Sequence, residues 1–164
     1  MIDRRIVACL QAASVDMVFS LPCTMLSGVL DEIDRQSIMR IPVCREEEGV
    51  GIAAGAALAG RRPILVMQNS GLGNCINALA SLTGIYRLPL FLLMSHRGGP
   101  GEQIAAQIPM GQAVFRLLDS LGIANMKVET PDDFDALSSF MRLTLDNSAI
   151  GAALLSQELW HAQM

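Results

Sequence analysis

The chain is poor in charge and in aromatic side chains, and each shortage excludes something. Charged residues make up 17% of the 164 positions, the net charge is −4, and no long basic stretch occurs. Nucleic acid is therefore not an expected partner. The pairs Arg4-Arg5 and Arg61-Arg62 read as solvated ends of elements. No apolar run approaches the roughly 18 residues of a membrane-spanning helix, so no membrane association is expected. The start, Met1-Ile2-Asp3-Arg4-Arg5, opens an amphipathic pattern rather than the apolar stretch of a secretion signal, and a cytoplasmic protein is expected. The cysteines, Cys9, Cys23, Cys44 and Cys75, show no CxxC spacing, and only two histidines accompany them. No zinc or other metal site is expected in this chain; the thiols read as small hydrophobes in a reducing compartment, three of them in apolar surroundings. There is no internal repeat and no low-complexity linker, so residues 1–164 read as one domain.

Hydrophobic residues, by contrast, reach 51%. A parallel sheet buried on both faces explains part of that excess, and a subunit interface would explain the rest. Ile6, Val7, Leu10 and Ala13 share a helical face within residues 3–14. Short apolar strands follow at 16–21, 38–43, 64–67, 88–95, 126–128 and 149–155, with helical patterns between them. Pro42 places the second strand at an edge or ends it. About six strands alternating with six helices predict an α/β fold, a doubly wound, mostly parallel six-stranded sheet flanked by helices.

Two strand-to-helix junctions hold the candidate chemistry, because ligands of open α/β sheets sit outside the carboxyl ends of the strands. The first is Val43-Cys44-Arg45-Glu46-Glu47-Glu48-Gly49. Three carboxylates in a first helical turn are favoured by the helix dipole, which is one complete explanation for them. Successive helical residues nevertheless point about 100° apart, so one of the three must face the strand ends. The helix from Glu46 to Gly60 contains Gly49, Gly51 and Gly55 and ends in Gly60, each costing about 1 kcal/mol relative to alanine in a helix interior. Close approach of the sheet, a neighbouring helix or a partner subunit would offset that cost.

The second junction is Gln68-Asn69-Ser70-Gly71-Leu72-Gly73-Asn74, with a helix expected from about Cys75. It is either a tight connection or a phosphate cradle. It is not a dinucleotide fingerprint, since Ile76 stands where the third glycine belongs and His96-Arg97 where an acidic residue should be. No Gly-Lys-Ser/Thr follows, so it is no P-loop, and Gln68 replaces the glycine that a nucleophile elbow needs. Beyond it, residues 96–112 read as a long irregular loop, a length that is usually functional or disordered.

Arg45-Glu46-Glu47-Glu48-Gly49-Val50-Gly51-Ile52-Ala53-Ala54-Gly55 resembles the RHEQGAxxAAxG stretch of thiamine diphosphate enzymes, in the domain that grips the aminopyrimidine ring. Residues 68–76 resemble the SGPGATN turn of the same family. The stretches PVCREEEGVGIAAGAALAG, LVMQNSGLGNCINALASL and LLMSHRGGPGEQIAAQIPMGQ are most similar to the alpha subunits of sulfopyruvate decarboxylases, with phosphonopyruvate decarboxylases as near relatives. The resemblance covers most of residues 15–120. Glu46 stands where the wider family has histidine, and Leu72 where it has proline.

The resemblance implies a thiamine diphosphate-dependent 2-keto acid decarboxylase converting 3-sulfopyruvate to sulfoacetaldehyde and carbon dioxide. Phosphonopyruvate or another anionic 2-keto acid is the alternative substrate, and a non-catalytic binding or regulatory module of the same fold the alternative function. It implies that Glu47 is catalytic: its carboxyl, in an apolar pocket with a raised pKa, would share a proton with the aminopyrimidine ring nitrogen and so favour the imino form that deprotonates the thiazolium. Glu47, Asn69, Ser70, Gly71, Leu72, Gly73 and Asn74 would contact the cofactor. His96, Arg97, Gln103 and Gln107 would place the anionic end of the substrate or, alternatively, would only fix their loop. The family holds the cofactor's diphosphate through Mg²⁺ with a Gly-Asp-Gly motif on a second domain, and no Gly-Asp-Gly occurs here. A beta subunit is therefore expected to carry the Mg²⁺ and to share the cofactor. Self-association of the chain alone is also expected.

Overall fold

The computed structural model describes residues 2–36 and 38–161. Six strands form one all-parallel sheet: β1 (Met17–Ser20), β2 (Met39–Pro42), β3 (Pro63–Gln68), β4 (Leu90–Ser95), β5 (Ala124–Val128) and β6 (Ile150–Leu155), in the order β2-β1-β3-β4-β6-β5. Among the described residues seven α-helices accompany them: α1 (Ile2–Ala12), α2 (Ser27–Asp34), α3 (Glu46–Leu58), α4 (Leu72–Ala78), α5 (Ile108–Ser120), α6 (Phe134–Asp146) and α7 (Glu158–His161). β1 pairs with β2 on one side and β3 on the other, so the chain reverses direction across the sheet between β1 and β3. The carboxyl ends of those strands flank the crevice where such sheets bind ligands.

Alternation of side chains along the strands divides the core. Ile64, Val66, Phe91 and Leu93 face one way, onto α1, α2 and α6. Leu65, Met67, Leu90, Leu92 and Met94 face the other, onto α3, α4 and α5. A residue-by-residue period of two fixes this assignment, and every side chain of β4 is buried because both faces are covered. β2 and β5 are the two edges, and Pro42 closes β2.

Two boundaries differ from the sequence expectation. The helix after β3 begins at Leu72, reached through a 3₁₀ turn at Asn69–Gly71, rather than at Cys75. Gly71 (φ −64°, ψ −21°) is already helical, so the glycines there do not break the chain's direction. The expected loop to Gln112 ends early: a 3₁₀ turn at Ala105–Gln107 leads into α5 at Ile108, with Pro109 in the first turn, where its missing N–H costs nothing. At the far end of α3, Gly60 (φ +78°) provides the left-handed residue that stops the helix.

Candidate active site

The first turn of α3 is built at the carboxyl end of β2. Val43 N–H donates to the Ser20 carbonyl (3.0 Å), adding one more rung beside β1 before the chain turns outward. Arg45 is extended and Glu46-Glu47-Glu48 open the helix. The three carboxylates have three different roles. Glu48 Oε2 accepts from the Cys44 N–H at 2.8 Å and caps the helix start. Glu46 Oε2 accepts from Asn74 Nδ2 at 2.8 Å, reaching the second junction.

Glu47 lies between them. Its Oε1 accepts from Arg45 Nε at 2.7 Å, in an ion pair whose side chains are 69% and 38% exposed. Its Oε2 is buried and has no hydrogen-bond partner. A buried carboxylate oxygen without a donor is costly, and native structures rarely tolerate one unless a ligand or partner completes it. The expectation of a raised pKa does not hold in this chain. The residue's own N–H at the helix start, and then Arg45, hold the Glu47 carboxyl below the ordinary glutamate range against the opposing effect of burial. The reason is local: a backbone N–H and a neighbouring cation both favour the charged form.

The second junction divides by burial. Asn69 is 1% exposed, and its side chain pairs twice with the backbone of Arg97: Nδ2 donates to the Arg97 carbonyl (3.0 Å) and the Arg97 N–H donates to Oδ1 (2.9 Å). Leu72 lies wholly in the core. Both side chains are thus engaged within the chain, Asn69 in the loop after β4 and Leu72 in the core. Gly71 is buried against Glu46: a Cβ there would stand 2.5 Å from Glu46 Cγ and 2.6 Å from its Oε1. Ser70 is half-buried, while Gly73 and Asn74 are exposed at the same edge. Gln68 Nε2 donates to Ser70 Oγ (2.6 Å) and to Gln107 Oε1 (2.8 Å), so Gln107 does join this junction.

The loop after β4 also departs from expectation. Arg97 is not a free cation for a substrate anion. Its Nε and Nη2 donate to the two carboxyl oxygens of Glu102, both at 2.7 Å, with the side chains 16% and 3% exposed. Glu102 accepts as well from the N–H groups of Gly98 and Ile104. Arg97 first, then these amides, hold its pKa down to about 2. His96 is buried; its Nε2 donates to the Gly111 carbonyl (3.2 Å) and its ring meets Phe115 edge-on at 5.4 Å. Gln103 is exposed and donates to the Gly101 carbonyl. Of the four residues expected either to place a substrate or to fix their loop, His96 and Arg97 brace the loop in this structure. Glu102 is the residue sequence reasoning missed; an acid five positions after an arginine, across three glycines, was its only signal.

The cysteines follow their surroundings. Cys9 and Cys75 are buried, and burial pushes their thiols up to about 11 and about 12. Cys23 is half-buried with Sγ 3.2 Å from Ser95 Oγ, and Cys44 is exposed.

Comparison with known proteins agrees with this geometry. Residues 2–106 match the family described as thiamine pyrophosphate enzyme, N-terminal TPP binding domain. The sulfopyruvate decarboxylase subunit alpha of Methanococcus maripaludis is 43% identical over 150 residues, 90% of each chain. The sulfopyruvate decarboxylase of Methanosarcina acetivorans is 32% identical over 160 residues, which are 98% of this chain but 41% of that longer one. A phosphonopyruvate decarboxylase of Streptomyces viridochromogenes is 36% identical over 116 residues, 70% of this chain and 29% of the other. With its parallel sheet and its open carboxylate at the strand ends, the chain belongs to the thiamine pyrophosphate enzyme N-terminal domain family and, within it, to the sulfopyruvate decarboxylase alpha subunits.

Proposed function

We propose that this chain is the aminopyrimidine-side subunit of a decarboxylase that converts 3-sulfopyruvate to sulfoacetaldehyde and carbon dioxide, completed by a second chain. The observation that carries the reading is Glu47 Oε2, buried and unpaired at the carboxyl edge of the sheet. Such an oxygen suits a ring nitrogen that exchanges a proton with it. Bound thiamine diphosphate supplies the electron sink that makes loss of carbon dioxide from a 2-keto acid possible. Glu47 holds and shares the proton at Oε2, Arg45 steadies Oε1, and Ser70, Gly73 and Asn74 line the accessible edge beside it. Docking of the second chain covers Glu47, excludes water, and raises its pKa from the low value of the free chain toward the working range of an acid–base group.

Support for a second chain comes from the outer face of α3. A Cβ on Gly51 or Gly55 would meet nothing within 4 Å, while Ile52 (41%) and Leu58 (76%) are exposed beside them. Only Gly49 fulfils the expectation of close approach within the chain, its missing Cβ making room for Leu65. Gly51 and Gly55 are left for a partner's backbone. The longer Methanosarcina relative, of which this chain covers 41%, has room for the remaining functions in one polypeptide. We assign Mg²⁺ and the diphosphate contacts to the second chain; among the described residues no three His, Cys, Asp or Glu side chains are grouped to hold a metal.

The test is reconstitution of the chain with its beta partner, thiamine diphosphate and Mg²⁺. Carbon dioxide release from sulfopyruvate, with little or none from phosphonopyruvate, is expected. Preference for phosphonopyruvate would transfer the assignment to that substrate, and no turnover of any 2-keto acid would refute the enzymatic reading. Glu47→Gln is expected to fold normally and slow turnover by about 10² or more, the scale of a lost acid–base group.

A further inference from the structure

We infer that Glu46, the carboxylate before Glu47, is a positioning residue that locks the first turn of α3 to the first turn of α4 and so sets the Glu47 carboxyl. This rests on the functional reading above and adds a residue to it. In the sequence, Glu46 is fully explained as a charge at a helix start. The structure gives it a second task. Its Oε2 accepts from Asn74 Nδ2 at 2.8 Å, across 28 residues of sequence and between two separate junctions. Its Cγ and Oε1 fill the space over Gly71, where a Cβ would come within 2.5 and 2.6 Å of them. Gly71 has helical angles that any residue adopts, so its lack of a side chain is explained by Glu46 and not by backbone geometry.

The other ties of this turn do not reach the second junction. Glu48 caps Cys44, and Gly49 lets the turn press on Leu65 of β3. Among the described residues, the Glu46–Asn74 bond is the side-chain hydrogen bond that joins the two junctions, and Glu47 follows Glu46 directly. A one-residue separation makes the link direct: rotation of the helix start that releases Glu46 carries the Cα of Glu47 with it. Both carboxylates also raise the thiol pKa of Cys75 beneath them, in line with their lying over the start of α4.

Glu46→Ala, Glu46→Gln, Asn74→Ala and the double variant Glu46→Ala/Asn74→Ala test this in the reconstituted complex and in the chain alone. Gln retains a side-chain oxygen that accepts from Asn74. Glu46→Ala is expected to lower kcat by about 10- to 100-fold with KM for the keto acid within about threefold, since small misplacement of a reacting group costs on that scale. Asn74→Ala is expected to show a similar loss, the double variant to be no worse than the worse single, and Glu46→Gln to recover most of the rate. In the chain alone, hydrogen exchange should quicken in residues 45–49 and 71–75 together for Glu46→Ala. Wild-type kcat in Glu46→Ala, losses that multiply in the double variant, or a Gln variant as poor as the Ala variant would overturn the inference. If the wild-type complex turns over no 2-keto acid, the functional reading fails by itself. Exchange in the isolated chain then decides the lock: acceleration confined to one segment, or none, overturns it.

Discussion

Gly111→Ala sets local preference against tertiary contact with opposite signs. Gly111 lies inside α5, where alanine is favoured over glycine by about 1 kcal/mol, so propensity alone predicts a more stable protein. The structure predicts the reverse. A Cβ at 111 would stand 2.3 Å from the Arg97 carbonyl oxygen and 2.5 Å from both the carbonyl carbon and the Cα of Gly98. These are backbone atoms and cannot rotate aside. Gly98 itself has φ +83°, and a Cβ there would lie 2.2 Å from the Gln107 carbonyl oxygen, so loop and helix meet backbone to backbone. An ordinary contact needs the loop to lift by about 1 Å, which disturbs the Asn69 brace on Arg97 and the His96 bond to the Gly111 carbonyl. Overpacking costs about 1–3 kcal/mol, and rigid backbone neighbours put this site in the upper part of that range, about 2–3 kcal/mol. Subtracting the propensity gain leaves a net loss of about 1–2 kcal/mol, and for a chain of this size a melting point lower by about 2–8 °C. Urea unfolding of the isolated chain measures the midpoint and the slope m together. A midpoint equal to or above wild type at unchanged m would refute the described packing of residues 96–104 on α5.

The ion pair beneath that loop predicts a pH dependence. Glu102 has a folded pKa depressed to about 2, so its contribution to stability is present above the ordinary glutamate pKa and is lost as pH falls from about 4.5 toward 2. Glu102→Gln should remove that segment of the acid-unfolding profile; an unchanged profile would show that the pair contributes nothing. Native-state alkylation at pH 8 should label Cys44 first and Cys23 more slowly, while Cys9 and Cys75 react only on unfolding, and assembly with the partner should protect Cys44. Rapid native labelling of Cys75, read by peptide mass, would contradict its burial. Gly55→Ala should stabilise the isolated chain by about 0.5–1 kcal/mol, because nothing surrounds that position. Gly55→Leu should fold yet weaken assembly, measured by sedimentation; assembly as tight as wild type would remove α3 from the interface.

The order of strands and helices and the parallel class were legible in the chain itself, because hydrophobic period is a local property, and Pro42 marked β2 as an edge strand or as ending there. Glu47 was singled out by the resemblance of the stretch from Arg45 to Gly55, and its catalytic role is the proposal made above. What local pattern could not contain was the pairing between junctions. Glu46 with Asn74 and Asn69 with Arg97 are each 28 residues apart, and they meet only because parallel crossovers return successive strand ends to one edge of the sheet. The same topology turned Arg97 from a free cation into half of a buried ion pair with Glu102, and made Gly71 a matter of space rather than of backbone freedom. Residue types and periodicity determined which elements form; the approach of their ends, set by packing of both helical layers on the sheet, decided which side chains were still free to act.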